Sequence, residues 1–274
     1  MSAVPPAVRL AGITKSFDGK VVLDSLDLSV ATGESLVIVG KSGTGKSVLL
    51  KHVIGLLVPD AGTVEIEGEE FWRAGRVRRD EIRRKFGMSF QEGALFDSMS
   101  VGENIAFPLV RHTRLTPEKI RARVAECLEL VQLPGLESKR PSELSGGMRR
   151  RVGFARAIAL SPSILLFDEP TTGLDPITTD VISGVISALR RRLNPTALTI
   201  THDLKVAFGI ADRVALLHGG RIHAALPPKA FETSDDPHVA AFVRGDATLE
   251  HPDDVELPRP SAVPPSRSTI GTSP

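Results

Sequence analysis

Residues 37–57 read VIVGKSGTGKSVLLKHVIGLL, an order of residue types that sets out a strand, a phosphate loop and a helix. Val37 to Val39 form a short apolar run. Gly40-Lys41-Ser42-Gly43-Thr44-Gly45-Lys46-Ser47 then matches G-x-x-x-x-G-K-[ST] at every fixed position. Val48, Leu49, Val53, Leu56 and Leu57 follow at helical spacing. Glycines at 40, 43 and 45 let successive backbone N–H groups converge on phosphate oxygens, and the helix that follows adds the positive end of its dipole. The guest is expected to be a polyanion. Lys46 would reach the β- and γ-phosphates, and the Ser47 hydroxyl would hold the Mg²⁺ that neutralises them.

Outward from this loop, the composition is that of an ordinary globular protein. With 274 residues, 41% of them hydrophobic, the chain can bury a sizeable core. Lys and Arg number 34 against 33 Asp and Glu, so no overall field argues for nucleic acid or anionic lipid as the main partner. The one cysteine, Cys127, cannot form an internal disulfide and falls on the apolar face of an expected helix, which fits core packing in a reducing cytosol. The N-terminal MSAVPPAVRLAG has no cationic region followed by a long apolar one, so no secretory signal is read there. About 18 uninterrupted apolar residues occur nowhere, so a membrane role would need another chain as anchor.

Ahead of the loop, Val8 to Phe17 and Val21 to Val30 alternate or run apolar around Asp18-Gly19, a hairpin signal. Thr63 to Gly68 alternates again, and these pieces are expected to form an antiparallel β layer beside the nucleotide core. Phe17 is the only aromatic residue ahead of the loop in a chain without tyrosine; stacking on a nucleotide base and packing in the core both stay open for it. Arg73 to Lys85 reads as a solvated helix face, because acids interrupt the arginines and no aromatics interleave with them.

Behind the loop, Phe86 to Phe90 reads as a strand that delivers Gln91. Thr116 and Pro117 open a helix as N-cap and first residue, with Ile120, Val124, Leu128 and Val131 on one face. Leu144 to Leu160 is a second helical stretch, entered through Ser145-Gly146-Gly147. Ile164 to Phe167 is apolar on every residue, as a parallel strand covered on both faces should be, and it ends in Asp168-Glu169-Pro170. Ala197 to Ile200 reads as another buried strand and ends in Thr201-His202-Asp203. Val214 to His223 forms a hairpin around Gly219-Gly220, and a short helix follows near His238 to Val243. Residues 246–274, rich in Pro and Ser, are expected to be disordered.

Asp168, at the end of an apolar strand, is placed to hold Mg²⁺ directly or through water, and Glu169 is then free to orient or deprotonate a water for in-line attack on the γ-phosphate. Over roughly residues 7–243 the chain resembles the ATP-binding subunits of ABC transporters. Walker A (40–47), Gln91 at the Q-loop position, Leu144-Ser145-Gly146-Gly147-Met148 at the signature, Walker B (164–169), Gly173-Leu174-Asp175 at the D-loop and His202 at the switch position come in that family's order. The resemblance implies an α/β fold: a P-loop NTPase core with an antiparallel β subdomain and an α-helical insertion over about 92–162. It implies an ATPase that works as a head-to-tail dimer, each ATP lying between Walker A of one subunit and Ser145, Gly146 and Gly147 of the other. Gln91 would contact Mg²⁺ or the attacking water, His202 the γ-phosphate, and Asp175 the dimer interface. The common signature ends in Gln, and Met148 departs from it; Ser145 and the glycines carry the phosphate contacts, so activity is expected to survive.

The run from Phe90 to Leu109, the stretch Gly45 to His52, Met148, and Ser234-Asp235-Asp236-Pro237 are similar to the ATPases of Mla/Mce-type lipid transporters. That similarity implies a multi-spanning permease, an MCE-domain lipid-binding protein, in some systems a STAS-domain subunit, and a place on the cytoplasmic face of the inner membrane. Leu95, Phe96, Met99, Ile105 and Phe107 are too many large apolar residues for a solvated loop, and some are expected to form a docking groove for the permease. An ABC ATPase for another solute, such as an amino acid or a lipoprotein, is the nearest rival. A soluble ABC ATPase acting on nucleic acid would bring coiled-coil heptads or a second cassette, and neither is present. A P-loop kinase would lack the signature and His202.

Overall fold

Asp18 and Gly19, at φ 49° and 80°, turn the chain back on itself in the left-handed region that a two-residue hairpin requires. They join β1 (Val8–Phe17) to β2 (Lys20–Val30). The computed structural model, which describes residues 5–91 and 93–246, continues with β3 (Ser35–Val39) and α1 (Lys46–Val53). Next come β4 (Ala61–Ile66), β5 (Glu69–Glu70), α2 (Arg76–Arg83) and β6 (Phe86–Ser89). Between β6 and β7 (Ile164–Asp168) lie α3 (Val101–His112), α4 (Pro117–Leu130) and α5 (Gly146–Ile158). The chain then runs through α6 (Pro176–Leu193), β8 (Thr196–Ile200), α7 (Leu204–Ile210), β9 (Arg213–His218) and β10 (Arg221–Leu226). Two short helices follow, α8 (Pro228–Glu232) and α9 (Pro237–Arg244). The stretch expected to be disordered lies, from residue 247 on, outside the described residues.

The strands form two sheets. One is antiparallel, in the order β2-β1-β4-β5; the other runs β10-β9-β3-β8-β7-β6 and is parallel except for its β10 edge. Alternation along the central strands divides the interior in two. Val37, Val39, Leu165, Phe167, Val214 and Leu216 face a core shared with α3 to α7, while Leu36, Ile38, Ile164, Leu166, Ala215 and Leu217 face α1 and the antiparallel layer. A strand so covered is mostly apolar, which is why residues 36–39 and 164–167 read as unbroken apolar runs, while β8 also buries Thr196 and Thr199. Each large side chain buried there contributes about 1.5–3 kcal/mol.

The expected caps form: Thr116 Oγ1 accepts from Lys119 N–H at the start of α4, and Val124, Cys127, Leu128 and Val131 are buried below it. Four helices, α3, α6, α7 and α8, arise where the sequence reading placed none. α3 is stabilised by a capping box, Ser100 with Glu103, and buries Val101, Ile105 and Leu109 around an internal Pro108. α6, eighteen residues long, is capped by Asp175 before its first residue and by Asn194, in the left-handed conformation, after its last. The arginine-rich helix α2 is only partly a solvated face, because Arg79 and Arg83 lie over the rings of Trp72 and Phe71 at 5.4 and 5.3 Å. Among the described residues, no helix is long and apolar enough to cross a membrane.

Candidate functional site

The parallel strands deliver chemistry at their C-terminal ends, so β3, β6, β7 and β8 set the phosphate loop, Gln91, Asp168-Glu169 and His202 along one sheet edge. A cavity of about 650 Å³ opens there. Its walls include Ser42, Gly43, Gly45, Lys46, Ser47, Gln91, Glu169 and His202, together with Val22 and Thr172, which the sequence reading did not single out.

Backbone geometry explains the loop's glycines. A Cβ on Gly40 would sit 2.5 Å from the carbonyl oxygen of Leu217, and Gly45 caps α1 at φ 97°. Thr44 Oγ1 donates to the carbonyl of Lys41 at 2.9 Å and closes the loop. Lys46 is only 7% exposed, and its Nζ donates to the carbonyls of Gly40 (2.7 Å) and Lys41 (2.8 Å). Burial lowers its pKa; the charges of Glu169 and Asp168 oppose that shift.

The two acids have separate partners. Ser47 Oγ lies 3.5 Å from Asp168 Oδ1. Burial, and after it the neighbouring charge of Glu169, raises the pKa of Asp168, a cost that a bound divalent cation would remove. The Ser47 hydroxyl, the Asp168 carboxylate and the Gln91 amide form a set of hard oxygen donors that suits Mg²⁺. Among the described residues no three His, Cys, Asp or Glu groups gather to hold a metal, so such an ion would complete its shell with phosphate and water oxygens. Glu169 Oε2 accepts from the Thr172 hydroxyl at 2.7 Å and lies 2.9 Å from His202 Nδ1. Its other oxygen is 3.9 Å from Lys46 Nζ.

Phe17 ends β1 at 43% exposure, with Lys15 Nζ 5.6 Å from its ring centre. That rules out core packing: at the end of β1 the ring is beside the hairpin turn, where Phe17 pairs only with Lys20 of β2, past the last pair with β4 at Thr14. The ring is not among the walls of the cavity. Ser145, Gly146, Gly147 and Asp175 also lie away from those walls. Ser145 caps α5, accepting from Met148 N–H, and Gly147 packs so tightly that a Cβ would meet Thr178 at 2.5 Å. Asp175 caps α6 by accepting from the N–H and hydroxyl of Thr178, contacts that lower its pKa. Met148 is half-buried against the main core.

The model of the family described as "ABC transporter" matches residues 23–172. The chain belongs to the ABC transporter family. It is an ABC-type ATPase, with the P-loop fold of that family. It is 42% identical over 239 residues to the "Probable ribonucleotide transport ATP-binding protein mkl" of Mycobacterium leprae, covering 87% of this chain and 69% of that protein. It is 38% identical over 243 residues to the "Intermembrane phospholipid transport system ATP-binding protein MlaF" of Escherichia coli (strain K12), covering 89% and 90%. Among solved structures, the ATP-binding cassette MJ0796, in a dimeric post-hydrolysis state bound to ADP and Pi, superposes with a TM-score of 0.74 at 31% identity, over 81% of this chain and 98% of that one. CbiO1 of Clostridium perfringens, part of the ABC transporter complex cbiONQ, gives a TM-score of 0.78 at 26% identity over 88% and 96%.

Proposed function

We propose that this ABC ATPase powers phospholipid movement between membranes from the cytoplasmic face of the inner membrane, bound to an integral-membrane permease of Mla/Mce type. The observation that carries the reading is the similarity to MlaF, which extends over nine-tenths of that protein. An MCE-domain lipid-binding protein, and in some systems a STAS-domain subunit, complete the assembly we have in view.

In this reading two copies pair head to tail. Ser145 and the N–H groups of Gly146 and Gly147, at the start of α5, meet the nucleotide seated on the partner's phosphate loop. Gly40 to Ser47 cradle the phosphates, and Lys46 trades its two loop carbonyls for phosphate oxygens. Ser47, Asp168 and Gln91 would hold Mg²⁺, which would supply neutralisation of the phosphate charge. Glu169 orients and deprotonates the attacking water, His202 contacts the γ-phosphate, Phe17 stacks on the base, and Asp175 lies at the dimer interface.

A groove of about 360 Å³ supports the permease contact. Phe90, Phe96, Phe107 and Leu160 line it, and Arg156 lies over the Phe96 ring at 5.8 Å while donating to the carbonyls of Gly93 and Ala94. Such an apolar cleft, placed just after Gln91, suits a short helix of the permease.

Two experiments test this. Glu169→Gln keeps shape and metal binding but loses the base, so slow hydrolysis with an ATP-stabilised dimer is expected in size-exclusion chromatography; near-normal turnover would remove the role given to Glu169. The unaltered protein, purified from detergent-solubilised membranes, should bring down an Mla/Mce-type permease that moves labelled phospholipid between vesicles when ATP is supplied. Recovery of a permease that moves ribonucleotides and no phospholipid would favour the function named for the mycobacterial relative instead.

A further inference from the structure

We infer that Thr172 is a positioning residue for the Glu169 carboxylate, held in place by Arg150 of α5. The inference rests on the assignment of Glu169 as the water-activating group.

Glu169 leaves the end of β7 with φ at 46°, and its N–H donates to the carbonyl of Ile200 at 2.9 Å, continuing the pairing with β8. The backbone is thus pinned, but three side-chain torsions still separate it from the carboxylate. In an open cavity those torsions would let the acid sweep through several orientations. The Thr172 hydroxyl stops this: it donates to Oε2 at 2.7 Å, on the same oxygen that meets His202 Nδ1 at 2.9 Å. With Oε2 held there, Oε1 lies toward the phosphate loop, 3.9 Å from Lys46 Nζ. His202 is more than half exposed, whereas Thr172 is half-buried, so Thr172 is the steadier of the two partners.

Thr172 is itself gripped from behind. The guanidinium of Arg150, 8% exposed, donates through Nη1 to the carbonyl of Pro170 at 2.9 Å and through Nη2 to the carbonyl of Thr172. Five positions earlier on the same chain, Ser145 caps the helix that carries Arg150. One rigid element therefore supports the turn that aims the acid. Rigid support of this kind is what holding a general base in productive geometry requires.

The test compares wild type, Thr172→Ser, Thr172→Val, Glu169→Gln and the double variant Glu169→Gln/Thr172→Val in single-turnover and steady-state ATP hydrolysis. Valine keeps the shape of threonine without the donor, so kcat should fall about ten-fold or more while KM for ATP and the thermal midpoint barely move. Serine restores the donor and should keep kcat within about two-fold. In the Glu169→Gln background, Thr172→Val should add nothing, because its effect runs through the carboxylate. Normal turnover in Thr172→Val beside an inactive Glu169→Gln overturns the positioning role alone, as does an equal loss from Thr172→Val in both backgrounds. Normal turnover in Glu169→Gln overturns the assignment of Glu169 itself.

Discussion

Cys127 is a single side chain whose burial the helical spacing already implies. It lies on the inner face of α4 with no exposure, and burial pushes its thiol from 9.0 up to about 11. Between these values the unfolded thiol loses its proton while the folded one keeps it. The native state then binds more protons, so this contribution to stability is complete below about pH 9 and is lost as pH rises through 11. In urea unfolding, the stability difference between wild type and Cys127→Ala should shift by about 2 kcal/mol against wild type between pH 8 and pH 10.5. A constant difference would mean that the thiol titrates normally. Phe17 makes the opposite point, since its type and place in the sequence left two fates open. Its place at the hairpin end of β1, past the last pair with β4, settled that the ring is uncovered.

At the scale of elements, α3 and the loop before it depend on Asn104. Its Oδ1 accepts from Phe96 N–H at 2.8 Å, and its Nδ2 donates to the carbonyls of Phe96, Met99 and Ser100. The side chain is fully buried, so one amide organises the whole segment that presents Phe96. Asn104→Ala leaves those backbone groups without partners and should cost roughly 2 kcal/mol or more in chemical denaturation. ATP affinity should hold, because the phosphate loop belongs to another element; a parallel loss of ATP binding would show that the segment supports the nucleotide site as well. The apolar residues of this stretch are legible in the sequence, yet its helix is not. Pro108 and Gly102 argue locally against one, and the capping box and burial of Val101, Ile105 and Leu109 outweigh them.

For the whole molecule, the question is how a nucleotide at the sheet edge is felt at the membrane. Gln91 lines the cavity, and two residues later Gly93 accepts from Arg156, which also lies over Phe96 in the groove. The backbone here has little room to yield: a Cβ on Gly153 of α5 would meet Gly93 Cα at 3.0 Å, and one on Gly87 of β6 would meet the Ala157 carbonyl at 2.3 Å. Strand, loop and α5 are therefore packed as one piece. Phe96, 43% exposed, can take a charge without disturbing the core. Phe96→Asp should leave ATP binding within about two-fold, yet copurify with permease at least about ten-fold less, because a carboxylate in an apolar contact is costly. An unchanged complex would place the docking surface elsewhere.

What the sequence determined by itself was the chemistry: the phosphate loop at 40–47, the paired acids at 168 and 169, and the order of motifs around Gln91, Ser145, Asp175 and His202. Those signals are local, since a loop needs its glycines and a doubly covered strand needs apolar residues on both faces, whatever lies far away in the chain. Only the tertiary structure decided that Thr172 and His202, thirty residues apart, meet on one oxygen of Glu169, and that Arg150 reaches from α5 to hold that turn. It also decided that Phe90, Phe96 and Phe107 share one groove. These contacts depend on which strands become neighbours in the sheet and how closely α5 lies against β6, and close packing between elements leaves no periodic mark in the sequence.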